Sequence, residues 1–437
     1  MYYDIEPHEF TIDEQLTTPE GHVEFHLSSV VECDECPYCY GEDLYIHGTT
    51  EKKARDLSIF GRQVGLVIKV KRYKCKECGK TFTPVLRTID ENARMTNRMK
   101  DFVKNQALTK PFHQIEEELS ISDTTVKRIF DEYVAELESE RELRAPEVLG
   151  IDENHFRGRN HAVFTDIENR LILDILPKRN KIDVKRWLNE LPKKENVKCV
   201  TIDMWEQYKD AVEDELPNAT IVVDRFHIID GINKALDSTR TQMKNDLPKD
   251  QKRLLRNKRF YFLYGKEKLG EDESAELEEL FKYYPQFKEP YQLKEDFRDL
   301  YNAPDRFVAE DRLWDWLDRA EKYPQFQPVI TYVNNWFDYI LNWFDMPYTN
   351  GVTEMLNGKI NRVYDAGRGY SFSILRAKLL FGTKATKPAK FKFITHVPSY
   401  QGIGFATPTR TEKIMLNGWG VDIDELCRII DNDEFPV

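Results

Sequence analysis

The sequence lacks any hydrophobic run as long as the roughly 20 residues that a membrane-spanning helix needs. It also lacks internal repeats and low-complexity segments, which favours ordinary globular domains. The first 20 residues carry acidic side chains and no Lys or Arg, unlike a secretory signal peptide. We therefore expect a cytoplasmic protein with no membrane partner. Its 437 residues exceed one ordinary hydrophobic core and predict two to four domains.

Cysteine is scarce. The chain has seven, and five of them lie between positions 33 and 78. Such clustering in a chain expected in the cytoplasm favours metal ligation over disulfides. The remaining two, Cys199 and Cys427, are interpreted as packing residues.

The clustered cysteines form two C-x-x-C pairs, Cys36/Cys39 and Cys75/Cys78. Each such pair forms a turn that points both sulfurs at one ion, and two pairs give a tetrahedral thiolate site. We predict a zinc ribbon that holds one structural Zn²⁺ through these four residues. Cys33 has the same spacing and could exchange with Cys36 or Cys39.

Negative charge prevails overall, with a net charge of −12, but residues 51–110 carry 16 Lys and Arg against 6 Asp and Glu. A local basic segment can supply the phosphate contacts of a nucleic-acid-binding protein, although a solvated basic face fits as well. Residues 92–135 show two apolar stripes at helical spacing, with Ser122 as a natural N-cap of the second helix. A helix-turn-helix or an ordinary helical hairpin would give this pattern. In the first case the exposed face of the second helix would contact DNA through Thr124, Thr125, Lys127 and Arg128.

From position 147 the pattern predicts three strands with tight connections, then helix, strand, helix and strand up to about residue 223. This order is typical of a ribonuclease H-like fold, in which the first three strands are antiparallel and the first and fourth are neighbours. Residues 228–345 are charged, aromatic and helical in pattern, and are interpreted as an insertion into that fold.

Three acids lie where such a fold would bring them together. Asp152 and Asp203 follow hydrophobic strands, and Glu354 opens a helix after Thr349-Asn350-Gly351. Phosphoryl transfer by two divalent ions needs carboxylate ligands of this kind, and hard oxygen ligands select Mg²⁺ or Mn²⁺. Each acid taken alone is better explained as a surface carboxylate, so their order along the predicted fold carries the interpretation.

With these residues in view, the chain resembles the ISL3 family of insertion-sequence transposases along nearly its whole length. The resemblance rests on these blocks: the four-cysteine ribbon with Arg55-Asp56-Leu57, Gly150-Ile151-Asp152-Glu153, Asp203-Met204, Asp224-Arg225-Phe226-His227, Thr349-Asn350-Gly351, and Glu354 to Asn357 with Lys359-Ile360. It implies a DDE transposase whose triad is Asp152, Asp203 and Glu354. In similar enzymes a C/D-x-x-H element follows the fifth strand, which implies that Asp224 and His227 support the site.

Two of these assignments stay open at the level of sequence. Asp224 competes with Asp203 for the second place in the triad, and the predicted topology favours Asp203, which should then lie nearest Asp152. His227 could instead be a core histidine at the start of a helix.

Two further basic runs could contact a phosphate backbone, although solvated helices explain them about as well. The candidate DNA-binding residues in these runs are Arg253, Arg256 and Arg259 in the insertion and Lys359, Arg362 and Arg368 after Glu354.

The sequence thus predicts a multidomain protein: an α/β ribonuclease H-like catalytic domain with an all-α insertion, an N-terminal zinc ribbon and a helical helix-turn-helix domain. The predicted boundaries are an arm at 1–32, the zinc ribbon at 33–84, the helix-turn-helix at 92–135, the catalytic core at 147–227 and 346–385, the insertion at 228–345 and a tail at 386–437.

The expected function is that of a DNA transposase that binds terminal inverted repeats, cleaves DNA with Mg²⁺ or Mn²⁺ and joins the end to target DNA. We expect a homodimer assembled on DNA and a nucleoid-associated location. The alternatives are a non-catalytic DNA-binding regulator derived from a transposase and a ribonuclease H-like nuclease.

Overall fold

The computed structural model describes residues 8–90, 93–248, 252 and 258–384. The candidate residues Arg253 and Arg256, the tail from 386 and Cys427 lie outside this part of the chain. None of the described helices is long and apolar enough to cross a membrane.

Two five-stranded sheets and a series of helices make up the described chain. The strands are β1 Phe10–Thr17, β2 Val23–Ser29, β3 Leu44–Ile59, β4 Arg62–Cys75, β5 Thr81–Phe82, β6 Val148–Phe156, β7 Arg159–Asp166, β8 Leu171–Ile175, β9 Cys199–Ile202 and β10 Thr220–Val223. The α-helices are α1 Asn97–Ala107, α2 Phe112–Leu119, α3 Asp123–Ser139, α4 Lys181–Glu190, α5 Glu206–Glu215, α6 Arg225–Asn245, α7 Arg259–Leu263, α8 Glu271–Tyr283, α9 Lys288–Leu300, α10 Arg306–Ala320, α11 Gln327–Asn335, α12 Phe337–Leu341, α13 Gly351–Ala366 and α14 Phe372–Phe381.

The first sheet has the order β1-β2-β4-β3, with β5 added to β4. Its core includes Val23, Phe25 and Leu27 of β2, which alternate with more exposed residues as in any strand with one buried face. The prediction of an arm at 1–32 is therefore wrong for its described part, because β1 and β2 belong to the sheet that carries the ribbon. Strand β1 is exposed after Phe10 and shows no alternation that sequence could reveal.

Helices α1, α2 and α3 form a small unit, which lies between the two sheets in the order of the sequence. Thr96 and Ser122 cap α1 and α3 by accepting backbone N–H groups, as short hydroxyl side chains do at helix starts. Between α2 and α3, Ser120 takes a left-handed conformation with φ 48°. The apolar faces of the three helices share one hydrophobic cluster with α14 and with β6, β7 and β8.

The second sheet has the order β10-β9-β6-β7-β8. Strands β6, β7 and β8 are antiparallel, whereas β9 runs parallel to β6 and β10 runs parallel to β9. One face of this sheet packs on α4 and α5, and the same hydrophobic cluster continues through α6 into the aromatic helices α7 to α12. After these helices the chain returns through α13, which packs against β6. The chain therefore contacts the central strand of the second sheet again after the long helical segment.

Candidate active site and metal centre

Four cysteines of the first sheet converge on one point. The sulfur of Cys36 lies 3.7 Å from that of Cys78, and the sulfur of Cys39 lies 3.7 Å from that of Cys75. Zn–S bonds of about 2.3 Å in a tetrahedron place sulfurs roughly 3.8 Å apart, so the spacing fits one zinc ion. Within the described residues, these four cysteines form the group of possible metal ligands whose donor atoms all lie within 4.8 Å of one another. Cys33 does not belong to this group.

The two C-x-x-C turns have the same construction. Tyr40 donates its backbone N–H to the carbonyl of Cys36, and Gly79 donates to the carbonyl of Cys75. Both donors adopt a positive φ, 59° for Tyr40 and 72° for Gly79. This tight turn directs both thiols of each pair inwards, which is why the spacing alone predicts the ligands.

In the second sheet, strand register aligns three aspartates. Ile151 of β6 pairs with Ile202 of β9, and Ile202 pairs with Val223 of β10. The next residue along each parallel strand is an aspartate, so Asp152, Asp203 and Asp224 lie side by side at the carboxyl edge of β9 and β10. Parallel strands present equivalent positions at one edge, and here each presents an acid.

Asp152 is 6% exposed and lies next to Asp203, which follows the adjacent strand β9. Burial, followed by the charge of Asp203 and the hydrogen bond to it, raises the pKa of Asp152 to about 8. Two carboxylates in contact cannot both ionise cheaply without a cation between them. Of the two candidates for the second acid, Asp203 is the one in contact with Asp152.

Asp224 and His227 belong to the start of α6. The Oδ1 atom of Asp224 accepts the backbone N–H of Phe226 at 2.9 Å and so caps the helix. Burial raises the pKa of Asp224 to about 6. The Nε2 atom of His227 lies 2.9 Å from Oδ2 of Asp203, and this hydrogen bond raises the pKa of His227 to about 9. His227 is thus half-exposed and paired with an acid, not buried in the core.

Glu354 is in the first turn of α13, which begins at Gly351. Its side chain is exposed, and its charge acts on the buried aspartates by raising the pKa of Asp152 and of Asp224. The helix therefore brings a fourth carboxylate towards the three aligned aspartates.

The oxygen atoms at this edge suit a divalent cation. Within the described residues, Oδ1 of Asp203, Oδ2 of Asp224 and Oδ1 of Asn357 are buried without a hydrogen-bond partner. All three are acceptors, and unsatisfied buried acceptors are costly unless a donor or a cation approaches them. Hard oxygen donors of this kind match Mg²⁺ or Mn²⁺.

A cleft of about 730 Å³ opens beside the acids. Asp203, His227 and Tyr332 of α11 are among the residues that line it. Arg179 also lines the cleft, with its guanidinium 4.2 Å from the Trp205 ring and paired with Glu153. This volume is within the ordinary range of ligand-binding clefts.

The candidate DNA-binding residues fall into three groups. In α3, Thr124, Lys127 and Arg128 are exposed and Thr125 is half-buried, with Lys127 paired to Asp131 and Arg128 to Glu132. Arg259 is paired with Asp237 of α6. The third group lies on or just after α13: Lys359 and Arg362 line a small pocket beside the end of α1, and Arg368 is exposed.

Sequence reasoning gave no role to two residues at this site, Arg179 and Asn357. The Nδ2 atom of Asn357 donates to Oδ2 of Asp152 at 2.8 Å. The available signal was periodicity, because Asn350, Thr353 and Asn357 fall at i, i+3 and i+7 and so share one face of α13. For Arg179, which follows β8 in a loop, no comparable signal exists.

Two family models match this chain. One, described as a transposase and of the ISL3 type with a DDE domain, matches residues 149–379. The other, described as the zinc-finger of transposase IS204/IS1001/IS1096/IS1165, matches residues 34–78. The chain is also 22% identical over 361 residues to the transposase for insertion sequence element IS1001 from Bordetella parapertussis, covering 80% of this chain and 89% of that relative. The first match spans more than half of the chain, from β6 to α14.

Proposed function

The chain belongs to the ISL3 family of transposases, and on that premise we propose that it binds the terminal inverted repeats of its insertion sequence and catalyses metal-dependent DNA cleavage and strand transfer. The proposed catalytic domain is ribonuclease H-like, with α6 to α12 as its insertion. The four-cysteine cluster and the zinc-finger match support Zn²⁺ in the N-terminal sheet.

The observation that carries the proposal is the alignment of Asp152, Asp203 and Asp224 on three adjacent parallel strands. An acid cluster with a raised pKa, beside a cleft, is typical of a functional site. Buried carboxylates kept in contact cost stability, so a structural role explains them poorly.

We assign the cation-binding role to Asp152, Asp203 and Glu354. Bound divalent ions would activate the attacking oxygen and stabilise the leaving oxygen of a phosphodiester. His227 holds Oδ2 of Asp203 through its Nε2 atom and thereby orients that carboxylate. Asp224 fixes the start of α6, from which His227 projects.

For DNA binding we propose the ribbon sheet together with α2 and α3 as a helix-turn-helix. The exposed face of α3 offers Thr124, Lys127 and Arg128, whose short polar and basic groups suit base edges and phosphates. Cleavage of both ends of an element would require two copies of the chain, so we propose a homodimer assembled on DNA.

Glu354→Gln tests the proposal, because the amide keeps the size of the side chain and removes its charge. We expect the variant to bind a duplex carrying the element's end as the wild type does, and to lose cleavage and joining with Mg²⁺ or Mn²⁺ by at least 100-fold, on the order of other losses of charge stabilisation. Glu206→Gln, an exposed glutamate in the first turn of α5, is the matched control and should keep full activity.

The wild-type protein separates the alternatives in the same assay. Binding without any cleavage would indicate a regulator, and cleavage without joining would indicate a nuclease. Near-normal strand transfer by Glu354→Gln would remove Glu354 from the site.

A further inference from the structure

Helix α13 meets the second sheet through polar side chains. Asn350 and Thr353 are fully buried, and Asn357 continues the same face one turn further on. A helix that packs on a sheet normally buries an apolar stripe, which α13 also has in Leu356 and Ile360. The polar face therefore serves a purpose other than burial of apolar area.

Each polar residue of this face has a partner on a different part of the sheet. Thr201 of β9 donates its hydroxyl to Oδ1 of Asn350 at 3.2 Å, and the hydroxyls of Thr165 and Thr353 lie 2.7 Å apart. A Cβ atom at Gly150 would lie 2.4 Å from both of those threonine hydroxyls. Hydrogen bonds are directional, so this contact fixes one register of α13 on the sheet where apolar packing would tolerate others.

The last residue of the face reaches the acid cluster. Nδ2 of Asn357 donates to Oδ2 of Asp152 at 2.8 Å and to the carbonyl of Glu153 at 3.1 Å. In return, Nδ2 of the buried Asn154 donates to the backbone carbonyl of Asn357 at 3.1 Å. Helix α13 and strand β6 are thus joined by amide hydrogen bonds in both directions at the level of Asp152.

These bonds restrain both oxygens of Asp152. Oδ1 accepts the backbone N–H of Glu153 at 2.7 Å, while Oδ2 accepts from Asn357. A carboxylate oxygen has two lone pairs, so each oxygen keeps one for a cation after accepting one hydrogen bond. The plane of the carboxylate is fixed while its capacity to bind a cation is retained.

We propose that Asn357 is a positioning residue: it orients Asp152 for divalent-cation binding and couples that orientation to the helix that carries Glu354. This rests on the proposed function, in which Asp152 and Glu354 hold the cations. Because Glu354 and Asn357 are three residues apart on α13, one displacement of the helix moves both of them relative to Asp152. Partners that orient metal ligands in this way commonly contribute about 10–100-fold to metal affinity or activity.

The test compares Asn357→Ala with Asn361→Ala in the full-length chain. Asn361 is the same residue type on the same helix but is exposed, so it controls for the loss of an amide from α13. The probe is Mn²⁺ alone, titrated by calorimetry into zinc-loaded protein, followed by single-turnover cleavage of end-bearing DNA at increasing Mg²⁺. DNA affinity without added Mg²⁺ or Mn²⁺ and the melting temperature are measured alongside.

For Asn357→Ala we expect Mn²⁺ affinity to fall about 10–100-fold and the half-saturating Mg²⁺ concentration to rise by a similar factor. DNA affinity without added Mg²⁺ or Mn²⁺ should stay within about twofold of wild type, and Asn361→Ala should match wild type throughout. A purely structural role would lower melting temperature and DNA binding instead of the metal response. If Asn357→Ala does not fold, Asn357→Ser, which is polar but too short to reach Asp152, takes its place.

Unchanged Mn²⁺ affinity in Asn357→Ala would overturn the inference, and so would loss of the fold in both variants or the absence of Mn²⁺ binding to the wild type. Wild-type protein that binds Mn²⁺ in an Asn357-dependent manner but never cleaves DNA would contradict the proposed function and support the role of Asn357.

Discussion

At the scale of single residues, neighbouring aspartates of the acid cluster have different interactions and therefore different expected roles. Asp203 contacts Asp152 and His227, whereas Asp224 caps α6 through one oxygen and leaves the other buried without a partner among the described residues. Register alone makes the three equivalent. Their hydrogen bonds distinguish them, and this distinction can be tested by substitution.

We expect Asp203→Asn to abolish cleavage of end-bearing DNA, because the amide loses the charge that a cation requires next to Asp152. Asp224→Asn should retain measurable cleavage, since asparagine caps a helix as well as aspartate does. The assay is single-turnover cleavage with Mg²⁺, with DNA binding in the absence of added Mg²⁺ as the control for folding. The opposite pattern, activity in Asp203→Asn and none in Asp224→Asn, would make Asp224 the cation ligand.

The sequence predicts some residues of this site and not others, for physical reasons. Asp203 follows the hydrophobic strand β9, and Asp152 follows the hydrophobic residues that begin β6, so a local pattern in the sequence indicates both acids. The contact between Asn357 and Asp152 joins residues 205 positions apart and involves a neutral amide, which composition and charge patterns do not single out. Helix spacing indicates that Asn350, Thr353 and Asn357 share a face, but only the fold reveals that the face meets an acid.

At the scale of elements, the hydrophobic periodicity of the sequence and its helix-capping residues predicted most of the strands and helices of the second sheet. The helix predicted after the first three strands is α4, Lys181–Glu190, and the strand predicted after that helix is β9, Cys199–Ile202. Strand β1 was missed because its exposed face gives no alternation, and pairing with β2 is what makes it a strand. Long-range pairing of this kind leaves little trace in a local window.

A buried lysine joins α14 to the unit formed by α1, α2 and α3. Lys378 is 4% exposed and donates to the backbone carbonyls of Ala107 and Lys110 at the end of α1. Its Nζ atom also lies 4.7 Å from the centre of the Phe112 ring. Burial lowers the pKa of Lys378 to about 7. The carbonyls satisfy its N–H groups, but no carboxylate of the described residues is paired with it in a salt bridge.

This lysine should make stability depend on pH. Its pKa is about 7 in the folded chain and about 10.4 in the unfolded chain, so between these values the unfolded chain binds more protons and stability rises with pH. Below pH 7 both states are protonated and the contribution is constant. Relative to Lys378→Met, wild type should gain up to about 1.4 kcal/mol per pH unit between pH 7 and 9 in urea unfolding.

The matched control for this prediction is Lys127→Met, which changes an exposed lysine of α3. Its difference from wild type should stay constant from pH 6 to 9. A difference between wild type and Lys378→Met that is equally flat would show that Lys378 keeps its proton at the junction.

At the scale of the whole molecule, two adjacent residues of β3 join the first sheet to the unit formed by α1, α2 and α3. Arg55 donates to the carbonyl of Leu119 at 2.8 Å and to that of Ser120 at 2.5 Å, at the turn between α2 and α3. Asp56 is buried and accepts the hydroxyl of Thr96, the cap of α1, at 2.6 Å. Arg55 and Asp56 therefore fix the orientation of the sheet relative to α3.

This arrangement gives a physical reason for one of the sequence blocks on which the family resemblance rests. Arg55-Asp56-Leu57 lies between the two cysteine pairs in sequence, and none of its residues is a zinc ligand. Its partners lie about 40 to 65 positions away, so sequence spacing does not indicate its role.

If the sheet and α3 contact one stretch of DNA together, loosening this junction should weaken end binding. We expect Arg55→Ala and Arg55→Lys each to lower affinity for the element's end about tenfold, which corresponds to about 1.4 kcal/mol and to the loss of one or two hydrogen bonds of a charged donor. Lysine retains the charge but lacks the planar fork that reaches both carbonyls. Zinc content should stay at about one ion per chain, and cleavage of DNA already bound should proceed at the wild-type rate. Wild-type affinity in Arg55→Lys with a loss only in Arg55→Ala would mean that Arg55 acts through its charge on DNA, and that the sheet and the helices bind without this junction.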